Sequence, residues 1–518
     1  MLHLNQKAAR SVFITALLGL LALIVAACGS TDSTITASTP ANNALTTVSS
    51  SSQNNIGFGN ALLDWNPQTH KLVVTISLTG LVPNSVHPSH IHTGNCTTMG
   101  AIKHMLNNVV ADSHGNALTV TTLSNIKGIP QTGWYINVHH GPDLATTANA
   151  APIYCGNVVN PNPDTNHEQV IKTHLNLIYI NQFANVNKVS STVPGNGDVN
   201  PYGTAVVKES VGNLTKGNVL VSNFNNGGNL QGTGTTIVQI APNGTQTLFA
   251  QLNSNSCADG IGLTTALVEL KRGWVIVGSL PAAQGKFANV KPGCLIVLNA
   301  QGQTVATWTG QNINGPWDAT AVENEDGSQA ELFITNVLNG VVPANTNIVN
   351  QGTIVRFDLQ VPHQNEGKPS IESTATVGAG FSEKTDAAAL VIGPTGLGLG
   401  NNDILYVADT LNNRIVAIDH ASTRQSPEHA NLHVLTSGGS LNAELGLSIA
   451  PNGDILTVNG GDGNLVEIQP DGTQIAKILV SNMGTPPGAG CLFGIATVPG
   501  GAGVYFTDDC TNQLNILQ

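Results

Sequence analysis

Apolar and polar side chains alternate along much of the chain from residue 56 onward, as in half-buried strands, and no long helical periodicity appears after residue 30. Leu72-Val-Val-Thr-Ile-Ser-Leu78 reads as a strand rich in β-branched residues, followed by a turn through Gly80-Leu-Val-Pro-Asn-Ser85. Asn108 to Val120 reads as strand, tight turn at Asp112 to Asn116, and strand again. The stretch from His87 to Cys96 is a further strand. Successive side chains alternate faces, so His90 and His92 point one way while Ile91 faces a core. Gly133 to Asp143 is another, with Asn137 and His139 on one face and Val138 and His140 on the other. These segments, residues 56–160, predict an all-β unit, an antiparallel sandwich or barrel.

Residues 196–518 are organised by a repeat. Each copy has a Gly/Ala-rich strand, a second strand ending in a small or polar residue, a turn, and a third strand. The clearest runs from Asp403-Ile-Leu-Tyr-Val-Ala-Asp409 to Arg414-Ile-Val-Ala-Ile-Asp419 and resembles an NHL-type propeller repeat. Looser copies begin at Asn218, Trp274, Glu331, Asp454 and Val504. Six copies predict a six-bladed β-propeller, with inner strands near Thr204, Leu263, Ala319, Ala388, Leu447 and Ile495. The last copy stops after its third strand at Gln518, so a strand from residues 175–193 is needed to fill the open slot. The intervening 161–195 reads as a linker through Asn-Pro-Asn-Pro-Asp, then an apolar strand or short helix at Leu175 to Ile180 that supplies or precedes the closing strand.

The first residues place this all-β chain outside the cytoplasm. Lys7 and Arg10 precede an apolar run from Val12 to Ala27 that ends Val25-Ala-Ala-Cys28-Gly, which resembles a bacterial lipoprotein signal. Residues 1–27 are then the signal peptide, and Cys28 is lipidated and tethers the chain to the membrane. Residues 28–55, rich in Ser, Thr, Asn and Ala, bury too little to fold and read as a disordered tether. About 490 residues remain after the leader, enough for two or more domains. The other cysteines fall as Cys96 with Cys155, Cys257 with Cys294, and Cys491 with Cys510, although six cysteines admit 15 pairings. Oxidising surroundings favour bridges. A net charge of −12 and the absence of a basic patch argue against nucleic acid and anionic lipid as partners.

Eight of the 15 histidines lie within residues 56–160, a clustering that points to metal. His90-Ile-His92, a glycine and Cys96 after it, Val109-Val-Ala-Asp112 with Gly115, Val138-His139-His-Gly-Pro-Asp143 and Cys155-Gly156 follow in the order found in copper-zinc superoxide dismutases. Over roughly the same hundred residues, His-Ile-His and Tyr-Ile-Asn-Val-His also resemble the chordin-type (CHRD) domain. The dismutase resemblance implies a Greek-key β-sandwich, copper on His90, His92 and His139, and a bridge from Cys96 to Cys155. Three neutral imidazoles suit copper, whose affinity for nitrogen sites tops the divalent series. Only residues 97–107 separate Cys96 from the next strand, so the zinc loop is missing and no zinc site is expected. That segment carries His104, a candidate fourth copper ligand. Pro152 stands where the family has an arginine that attracts superoxide.

Propellers bind ligands where the inner strands converge on the central channel. Asp318, Asp386, Asp409 and Asp508 are the carboxylate candidates there. Gluconolactonase-type propellers, similar in repeat pattern, hold a divalent ion such as calcium in the channel. Two functions lead among these readings, ahead of a hydrolase or lyase activity borne by the propeller. One is a surface-anchored copper protein that dismutates superoxide and carries a propeller binding module. The other is a non-catalytic envelope scaffold whose propeller takes a protein or glycan.

Overall fold

The structure, a computed structural model, describes residues 59–518 apart from Gln311, Ala388 and Leu432. The expected signal peptide, the expected lipidation site Cys28 and the expected tether lie outside the described residues.

The first module contains ten strands: β1 (Gly59–Asn66), β2 (Lys71–Leu78), β3 (Val86–His87), β4 (Ser89–Thr93), β5 (Ile102–Met105), β6 (Val109–Val110), β7 (Ala117–Leu123), β8 (Trp134–His139), β9 (Pro152–Val158) and β10 (Gln169–Leu177). Eight of them make one antiparallel sheet in the order β5-β4-β8-β9-β10-β1-β2-β7, while β3 and β6 pair separately. Alternation decides its inner face. Ala61, Leu63 and Trp65 of β1 and Leu72, Val74, Ile76 and Leu78 of β2 are all buried. Each large apolar side chain among them contributes about 1.5–3 kcal/mol. The indole N–H of buried Trp65 donates to the Ile126 carbonyl at 2.7 Å, so no polar atom of that ring is wasted. The sheet curls until its edges meet. Asn107, just past β5, donates from its backbone N–H to Thr121 Oγ1 (2.8 Å) and from Nδ2 to the Val120 carbonyl (2.7 Å), both on β7.

Two sequence expectations need correcting. The module is one continuous curled sheet, nearer the barrel alternative, and the Greek-key sandwich implied by the dismutase resemblance is not shown. It also does not end at residue 160, because β10 pairs with both β1 and β9. In β10 every second residue from Gln169 to Leu177 is buried, but Gln169 and Thr173 occupy two of those inward positions and dilute the apolar pattern.

Six sheets follow. Five have four strands, and the third is extended by Leu390–Ile392 and by Glu428–His429. Their inner strands are Val199–Val206, Leu263–Leu270, Pro316–Glu323, Pro394–Leu399, Glu444–Ile449 and Leu492–Thr497. Each inner strand contacts the next, and the first contacts the last, so the sheets close into a six-bladed ring. All six break register with their second strand at the same place, for example between Pro201 and Thr204 and between Pro394 and Leu397. The fourth inner strand had been expected near Ala388, which lies outside the described residues; it is Pro394–Leu399. The sixth blade takes its outer strand from upstream: β11 (Val186–Ser191) pairs antiparallel with Gln513–Leu517.

The segment expected to be a linker is docked. The backbone N–H groups of Tyr179 and Ile180 donate to the two carboxylate oxygens of Glu467 at 2.8 and 2.9 Å, and Asn452 Nδ2 donates to the Leu177 carbonyl at 2.9 Å. Burial and the adjacent Glu467 push Asp454, beside this pair, up to about 9.

Candidate metal centre

β4 lies between β5 and β8, which places Ile91 opposite Ile136 and sends both into the core at 0% exposure. His90 and His92 therefore occupy the other face. Both are buried, at 1% and 6% exposure, as is His139 at 7%. His139 follows a register shift after Val138, and its backbone N–H reaches back to the Pro88 carbonyl at 2.9 Å. The three rings face one another with centroids 5.6 Å (His90–His92), 5.1 Å (His90–His139) and 5.8 Å (His92–His139) apart. One ring nitrogen of each lies within 4.8 Å of the others.

Backbone carbonyls decide which nitrogens carry protons. His92 Nδ1–H donates to the Gly100 carbonyl (2.9 Å) and His139 Nδ1–H to the Ala150 carbonyl (2.7 Å). The Nε2 atoms of both rings are left as lone-pair acceptors. Neither has a partner, and His90 Nδ1 has none either. This is how metal-ligating histidines are usually held, one nitrogen on a carbonyl and the other free. Burial first, then His139 and His92, lower His90 to about 4, and burial lowers His139 as well. Both imidazoles are neutral at pH 7 and ready to bind. A set of buried, unpartnered nitrogens is costly without a bound group, and three imidazoles fit a nitrogen-ligated transition-metal ion.

Other residues support this set. Tyr135, opposite His92 on β8, stacks on its ring at 5.0 Å, and its phenol oxygen accepts the Gly100 N–H at 2.9 Å. His87 Nδ1–H donates to the His139 carbonyl at 3.0 Å. Cys96 is bridged to Cys155 on β9. Sequence reasoning passed over Tyr135, although its place two residues before Asn137 on the His139 strand was a usable signal. His104 is not brought to this point. It pairs opposite Ile91, and its ring lies 5.4 Å from that of Trp134.

The propeller channel is different. A cavity of about 560 Å³ is lined by the inner strands of all six blades. Just before the lining residues Thr204, Asp318 and Gly494, the rings of Tyr202, Trp317 and Phe493 cluster, with Tyr202 and Phe493 stacked at 4.2 Å. Asp318 lines the cavity, accepts the Ala319 N–H at 2.8 Å, and is raised to about 8 by burial. Asp386, Asp409 and Asp508 do not line it. Asp409 pairs with Arg414 Nε at 2.6 Å, Asp508 accepts from Ser481 Oγ at 2.9 Å, and Asp386 accepts the Ala389 N–H at 3.2 Å. Among the described residues, the channel gathers no trio of metal-capable side chains. The second trio, Cys491, Asp508 and Cys510, contains a disulfide, and Cys257–Cys294 is bridged too.

Fold and site together define an all-β protein in which a curled sheet with a three-histidine cluster is docked on a six-bladed propeller. No protein-family model matches the chain, and no curated protein matches it either. Solved structures similar to it include a gluconolactonase from Xanthomonas campestris (13% identity, TM-score 0.41, covering 64% of this chain and 88% of that one). A virginiamycin B lyase from Staphylococcus aureus is similar at 15% identity and TM-score 0.35, over 62% and 82% of the two chains. A calcium-binding regucalcin from Agrobacterium tumefaciens is similar at 13% identity and TM-score 0.39, over 65% and 93%. Likeness of this degree adds nothing to the reading of the site, and the blade count stands on the strand pairing.

Proposed function

We propose that the curled sheet is a dismutase-like module that holds one copper ion on His90, His92 and His139. The observation that carries this reading is the convergence of three buried imidazoles whose inward nitrogens have no hydrogen-bond partner. Copper bound there supplies one-electron exchange with a small oxidant such as superoxide, the reaction of the family that this segment resembles. The protein's part is to position and shield. Gly100 and Ala150 fix two ring orientations through their carbonyls, and Tyr135 covers one face of His92. Near-complete burial limits the reactant to a few atoms. Support for an extracytoplasmic, lipid-anchored location comes from the Cys28 motif and from three disulfides, which suit an oxidising compartment. The propeller serves as the binding module of the same protein.

The test is metal analysis of the full chain after loading with Cu(II), with His92→Ala as control and superoxide consumption measured alongside. One copper per chain in the wild type, lost in the variant, is the expected result. Less than stoichiometric copper in the wild type, indistinguishable from the variant, would overturn the reading.

A further inference from the structure

We propose that Asn137 contributes a fourth, oxygen ligand, its side-chain Oδ1, to the ion held by the three histidines. This rests on the metal-binding reading above. The register of β4 on β8 sets Asn137 directly opposite His90 and Tyr135 opposite His92. Directly opposed residues of an antiparallel pair project from the same face with Cβ atoms about 4.5–5.5 Å apart. Asn137 is therefore on the histidine face, two residues before His139 on the same strand.

Asn137 is 2% exposed, and its Oδ1 is buried with no hydrogen-bond partner. One such orphan is tolerable in a protein of this size, but its setting is particular. The unpartnered atoms on the same face are His90 Nδ1, His92 Nε2 and His139 Nε2, and the carbonyl bonds at Nδ1 of His92 and His139 leave their Nε2 atoms as lone-pair acceptors. Ring nitrogens and an amide oxygen gathered on one buried face without protein partners suit a cation, and the amide oxygen completes a four-coordinate set of three nitrogens and one oxygen. That set suits Cu(II), which takes tetragonal nitrogen and oxygen ligands, whereas an amide oxygen is a poor donor to the softer Cu(I). Asn137 thus acts mainly on the oxidised ion and lowers its reduction potential.

The experiment uses the full chain and three readouts: Cu(II) affinity, the Cu(II) electron paramagnetic resonance spectrum, and the midpoint potential. Asn137→Val places a strand-favouring residue of comparable size there and removes the oxygen. Cu(II) affinity is expected to fall about tenfold while Cu(I) affinity holds, raising the potential by about 59 mV, the one-electron equivalent of tenfold, with a changed copper hyperfine splitting. Asn137→Asp, nearly isosteric with an anionic oxygen, is expected to shift affinity and potential the other way, and it carries the test alone if the valine variant does not fold. If both variants match the wild type in spectrum and potential while His92→Ala loses copper, Asn137 is no ligand and the three-histidine reading survives. If the wild type takes up no copper, both fall together.

Discussion

The curled sheet and the propeller both bury polar side chains, but they arrange them differently. In the propeller, Asp409, Asp508 and Glu467 are buried but hydrogen-bonded, to Arg414, Ser481 and the Tyr179–Ile180 backbone respectively. These groups hold turns and seams. In the curled sheet, His90, His92 and His139 are as deeply buried, yet each turns an unpartnered nitrogen toward the others. Residue type alone does not separate these cases. What separates them is convergence: single atoms without a partner also occur in the propeller, such as Asp409 Oδ1 and Glu444 Oε2, whereas the three histidines bring theirs to one point.

The sharpest way to break this contrast is to delete a converging imidazole. His139→Ala is expected to abolish stoichiometric copper, a loss beyond the roughly 10–100-fold seen for supporting groups. It should also erase the rise in melting temperature that bound copper gives the wild type, as calorimetry with and without the ion would show. Asp409→Ala should do the reverse. Stranding Arg414 costs about 3–5 kcal/mol of propeller stability in urea unfolding, with copper affinity unchanged. Replacing Cys96 and Cys155 together by serine removes a bridge across 59 residues, for which about 2–4 kcal/mol is expected, confined to the curled sheet.

An effect spread over pH, and small at any one step of it, tests the channel. Asp318 titrates near 8 when folded, against about 4 in an unfolded chain. The folded state therefore holds one more proton across that window, and stability falls as pH rises through it, by up to about 1.4 kcal/mol per pH unit. Asp318→Asn should flatten that slope in melting curves taken from pH 4 to 8. Smallest of all, Tyr135→Phe leaves Gly100 N–H without its acceptor, costing about 1 kcal/mol, read by chemical denaturation of the copper-free protein.

Much of this was legible in the sequence, for physical reasons. The spacing of His90 and His92 fixes a shared strand face, and the repeated pairs of second and third strands carry strong runs such as Leu405–Asp409 and Arg414–Ile418. The illegible parts have causes as well. Pro394-Thr-Gly-Leu-Gly-Leu399 has too few large side chains to announce an inner strand. β10 hides behind the inward Gln169 and Thr173. His104 was misjudged because its face depends on how β5 pairs across a register shift between Ile91 and His92, which local sequence does not encode.

The pairing of Val186–Ser191 with Gln513–Leu517 has a consequence for biosynthesis. Emerging from the ribosome first, the upstream strand waits through more than three hundred residues of translation before its partner exists. The curled sheet can mature during that interval, whereas the ring stays unlatched until the final blade arrives. A chain lacking Gln513–Leu517 would thus present a folded first module beside an open, sticky edge at Val186–Ser191.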